Sequence, residues 1–146
     1  MVRIFCAVVL FALSAVDLKK LEVPAAGLAA LFGTVIIWVP PDEMAENLPA
    51  FAIVWGCFLL TAFLCSVFRR DVPFGMGDAA VLSALALQLG AAGLFSVFAL
   101  SGLSAGAFAA ALLLLKKARP GTQIPYVPFI AASYAACAVL EQHQLP

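Results

Sequence analysis

At 146 residues, 65% hydrophobic and only 11% charged, the chain carries too little charge to cover a water-facing exterior. That excludes an ordinary soluble domain of this size. The net charge is zero, so where the charges lie says more than their sum. The apolar runs are rich in Ala and Leu and show no alternation, which argues against strands and for a multi-pass helical membrane protein forming one compact domain.

The first apolar run covers residues 2–16 and contains Arg3 near its start. Small residues at Ala12-Leu13-Ser14 raise a cleaved secretory signal as a rival reading. Lys19 and Lys20 follow directly, and more positive charge after the run than before it favours a retained span with its N-terminus outside. Residues 17–24 read as a charged loop or helix extension, and Pro24 suits the first turn of a new helix, where its missing N–H costs nothing. The second run, 24–39, ends at Pro40-Pro41. An acidic loop over 42–47 with no Lys or Arg separates it from the third run, 49–68, which stops at Arg69-Arg70-Asp71.

Residues 78–115 are continuously apolar. As one helix they would reach about 57 Å, nearly twice the hydrocarbon core of about 30 Å. They are therefore read as two spans, 78–89 and 92–115, reversing near residues 90–93, with a turn near 101–104 as the alternative. A sixth span runs over 124–140. With six spans and an outside N-terminus, the inner loops hold Lys19, Lys20, Arg69, Arg70, Lys116, Lys117 and Arg119, while Asp42, Glu43, Glu46 and Glu141 fall outside. This satisfies the positive-inside rule. The expectation is an all-α polytopic membrane protein with six transmembrane helices.

Cys6, Cys57, Cys65 and Cys137 all lie in apolar runs without a C-x-x-C pair, and His143 stands alone in a polar tail. Buried small apolar residues are the natural reading of the cysteines, and no metal or cofactor is implied.

Two acids stand out. Asp78 follows Phe74-Gly75-Met76-Gly77 at the mouth of an apolar run, and an ionisable residue there is costly enough to suggest function. Gly75 and Gly77 would let the chain bend sharply or a substrate backbone approach Asp78. Asp17, at the end of the first run, is expected at the same bilayer level. Two neighbouring carboxylates tend to share one proton. That is the state in which one takes a proton from water while the other polarises a carbonyl. Plainer readings have Asp78 capping its helix and Asp17 as a solvated charge balancing Lys19 and Lys20. A small transporter relaying ions through the two acids is the main functional alternative, and a purely structural assembly subunit is a third.

Three motifs then occur in order: Asp17 with Val23-Pro24-Ala25, Gly75-Met76-Gly77-Asp78-Ala79-Ala80, and Ile124-Pro125-Tyr126-Val127-Pro128. With them the chain resembles the short form of the prepilin peptidases, or type IV leader peptidases. The resemblance implies an aspartic endopeptidase of the bacterial or archaeal cytoplasmic membrane, with Asp17 and Asp78 as the catalytic pair. Its implied partners are pilin-like precursors and the bilayer, not nucleic acid, and no cofactor is involved. Ala25 stands where that family usually has Asn and Ala80 where it usually has Lys. The cysteine-rich loop of the long, bifunctional members is absent, which leaves their N-methyltransferase activity without support. An inactive homologue serving in pilus assembly is the alternative within the resemblance.

Overall fold

A computed structural model describes residues 1–68, 75–117 and 122–143, with the backbone alone for 141–143. The basic clusters at Arg69-Arg70 and Arg119, the adjoining Asp71, Phe74 and the last three residues lie outside the described residues. Among the described residues five helices form, in the order α1 (Val2–Lys20), α2 (Ala25–Trp38), α3 (Pro41–Val67), α4 (Met76–Leu114) and α5 (Val127–His143). All-α architecture is what the composition demands.

Two of these helices, α3 and α4, are long and apolar enough to cross a membrane, and only 6% and 11% of their most apolar stretches are buried. Large side chains such as Leu59, Phe63, Phe95 and Leu103 face outward, as they do where the surroundings are hydrocarbon rather than water. The protein is membrane-associated. Six transmembrane helices, however, are not what forms. α2 has 14 residues and α5 has 17, rises of about 21 and 26 Å against a hydrocarbon core of about 30 Å. α1 is long enough, but Arg3, Asp17, Lys19 and Lys20 crowd its ends. The assignment of loops to inner and outer sides rests on six spans and falls with that count.

Element boundaries differ as well. α1 continues through Asp17 to Lys20, where two lysines complement the negative end of the helix dipole. Leu21 then turns the chain with a left-handed conformation (φ 54°, ψ 32°). The acidic stretch 42–47, expected as a loop, forms the opening turns of α3. Pro41 sits at its start and Asp42 and Glu43 lie in its first turn, a sequence well suited to a helix N-terminus. Pro24 is the residue before α2 rather than inside it.

α4 is not straight. Gly90 has φ 65° and ψ −173°, a backbone region that is essentially glycine's alone. Three interactions show that the chain doubles back there. Asp78, early in α4, interacts electrostatically with Tyr126 at the start of α5. Gln88 accepts a hydrogen bond from the hydroxyl of Tyr134, farther along α5 (3.0 Å). Ser101 returns to Tyr126 (2.8 Å). A straight helix would carry Ser101 about 20 Å past Gln88 in the direction leading away from Asp78. The break divides α4 into a first arm, 76–89, and a second arm, 91–114. The second arm, rising about 36 Å, is the part long enough to span.

Asn47 from α3 stabilises the bend. Its Nδ2 donates to the Leu87 carbonyl (3.0 Å), one of the acceptors that a helix end releases. Its Oδ1 occupies the place a Gly90 side chain would need, 2.6 Å from an added Cβ. α1 packs on α2 and α5, and α4 packs on α2, α3 and α5. Leu10, Leu31, Val35, Leu85, Ile130 and Tyr134 form the centre of the core.

Candidate active site at the α1, α4 and α5 junction

Asp17 lies in the last turn of α1 and is 5% exposed. A solvated juxtamembrane charge would not be buried, so that reading is excluded. Its Oδ2 accepts from the Val127 backbone N–H at 3.1 Å, across 110 positions of sequence, and the Tyr126 N–H donates to it as well. The local sequence explains why these two donors are available. Pro125 and Pro128 flank them and have no N–H to give, while the next amides, Phe129 and Ile130, bond back to the Tyr126 carbonyl. Asp17 therefore sits at the positive end of α5, where an anion is favoured. Burial pushes its carboxyl above the ordinary range, and the Val127 and Tyr126 amides oppose that rise.

Asp78 begins the first arm of α4 and is half-buried. Gly75 is the residue at the helix cap, with ordinary extended backbone (φ −73°, ψ 146°). Asp78 sits three residues into the helix and its carboxylate accepts the Gly75 backbone N–H, as the third helical residue does in a capping box. Thus the capping role is real, but it is the reach-back half of a cap. The room at Gly77 is already filled: an added Cβ would lie 2.7 Å from Val23 Cγ2. Its small size lets the start of α4 press against the 23–24 segment, and Pro24 follows directly as the lead into α2. Gly75 instead faces Asp78, whose Oδ2 would be 3.2 Å from an added Cβ.

The two acids are brought into one region, and the charge of Asp17 acts on Asp78. This encounter does not depend on the number of spans. Burial first, and then the charge of Asp17, push the Asp78 carboxyl up to about 6, while the Gly75 amide opposes the rise. Tyr126 completes the surroundings. Burial pushes its phenol above the usual value, Ser101 opposes this, and the charge of Asp78 adds to it. Among the described residues no three or more His, Cys, Asp or Glu side chains cluster as a metal site.

Three groups at this junction escape sequence reasoning: the Tyr126 and Val127 amides and the Tyr126 hydroxyl. Backbone donors have no residue identity to notice, although the two prolines restrict which amides remain free.

A profile of the type IV leader peptidase family matches residues 4–110. The match contains both aspartates and stops before α5. No curated protein and no solved structure matches the chain.

Proposed function

Because the chain belongs to the type IV leader peptidase family, we propose that it is a membrane aspartic endopeptidase. In this reading Asp17 and Asp78 cleave the leader from type IV pilin-like precursors at the cytoplasmic membrane face. The observation that carries the reading is the electrostatic coupling of these two acids, drawn from different helices, with Asp17 buried at 5% exposure. A buried, coupled pair holding one proton is what peptide hydrolysis by carboxylates requires.

In the reaction the ionised carboxylate takes a proton from water as the water oxygen bonds to the scissile carbonyl carbon. The protonated carboxyl gives its proton to the carbonyl oxygen. The tetrahedral diol then collapses: the C–N bond breaks, the amine leaves with the proton taken from water, and one diol hydroxyl returns its proton to the second carboxylate as the new carboxyl forms. A single-span precursor with a short leader would bring its junction to the depth of this pair. The position of Asp78 at the start of α4, on a buried arm, holds it more firmly than a loop would.

Co-expression with a pilin-like precursor tests the reading. Wild type is expected to produce a leader-sized mobility shift. Asp17→Asn and Asp78→Asn are each expected to lower processing about 10²- to 10⁴-fold. Unimpaired cleavage by either variant would overturn the assignment.

A further inference from the structure

Tyr126 is common to the surroundings of both acids. Its backbone N–H donates to Asp17, and its side chain lies within the electrostatic reach of Asp78. Its hydroxyl is tied to Ser101 at 2.8 Å. Ser101 is fully buried, and its Oγ also lies 3.0 Å from the Phe98 carbonyl. The bond to Tyr126 joins two hydroxyls, each able to donate or accept. The Tyr126 hydroxyl is thereby committed to the second arm of α4, beyond the Gly90 bend, and the ring has one supported orientation.

We propose that Tyr126 is the positioning residue of the site, fixing Asp17 through its amide and holding its ring beside Asp78 through the bond to Ser101. One residue thus ties together α1, both arms of α4 and the start of α5. The arrangement rests on the peptidase reading above, and it adds a role for a segment outside the 4–110 family match. It also gives the second arm of α4 a part in the site, although that arm otherwise faces outward.

Tyr126→Phe removes the hydroxyl and leaves both the ring and the amide. Ser101→Ala leaves the tyrosine intact and removes its hydrogen-bond partner. With the full chain in liposomes and a single-span pilin-like precursor as substrate, each substitution is expected to lower kcat about 2- to 10-fold, the rate equivalent of one hydrogen bond. KM should be unchanged. The double variant should be no slower than the slower single one, because both changes cut the same bond. Wild-type kcat in both single variants, or effects that multiply in the double, would overturn the proposal. So would a rise in KM at constant kcat. Asp17→Asn and Asp78→Asn run in the same assay keep the two ideas separate. Full activity in those variants removes the peptidase reading, whereas their inactivity beside normal Tyr126→Phe and Ser101→Ala enzymes removes the role of Tyr126 alone.

Discussion

The two arms of α4 are both apolar helices, yet their surroundings are opposite. In the first arm Ala79 and residues 81–87 are all buried, while in the second only Val97 and Ser101 are. The first arm is buried and carries Asp78 in its first turn. The second presents Phe95, Phe98, Leu103 and Leu114 outward. Hydropathy is blind to this difference, because protein interior and lipid are both apolar. Both arms draw on Ala, Leu, Val and Ser, and the phenylalanines Phe95, Phe98 and Phe108 fall in the outward one. An acid can be held in a fixed place at the membrane only where its helix is fixed too, and that condition is met by one arm of the two.

The largest expected contrast lies in side-chain truncation. Leu85→Ala, at a fully buried position, should cost about 2–5 kcal/mol. Leu103→Ala, 73% exposed, should stay within about 0.5 kcal/mol. Unfolding in one detergent checks both, and equal losses would erase the distinction between the arms. A smaller effect is expected at the joint itself. Gly90→Ala places a side chain at φ 65° and against Asn47, and should cost about 1–3 kcal/mol. An unchanged unfolding midpoint would mean that the bend does not need glycine.

The smallest effect is one of pH and concerns Asp17, on a helix packed against the same core. Burial raises its carboxyl above the ordinary 3.8, so the folded state holds the proton more tightly than the unfolded chain. Stability from this group is therefore fully present below 3.8 and is lost as pH rises through the folded value. Asp17→Asn escapes that loss. The variant should gain on wild type near neutral pH, and the gain should shrink as pH falls toward 3.8. A difference independent of pH would show that the raised carboxyl has no bearing on stability.

Much of this was legible beforehand, for reasons that can be named. Few charges and long Ala- and Leu-rich runs leave little besides membrane helices. Asp17 and Asp78 attract notice because each is an acid bordering an apolar run. The number of apolar runs overstates the crossings, because α1 carries charges at both ends and α2 and α5 are short. The start of α3 was obscured by Asp42 and Glu43, which resemble a polar loop but equally suit the first turn of a helix after Pro41. Asn47 was unreadable as a brace, since its partner is a carbonyl 40 positions away. The part played by Gly77 was also hidden: the space it leaves is used by Val23 of the same chain.

The clamp on Asp17 has a consequence for synthesis. Both aspartates precede residues 126 and 127, whose amides hold Asp17, in the order of synthesis. A nascent chain that has both acids but not yet α5 has a carboxylate without its anchor. The seat of Asp17 is therefore finished by α5 and not by the insertion of the helices that carry the two acids.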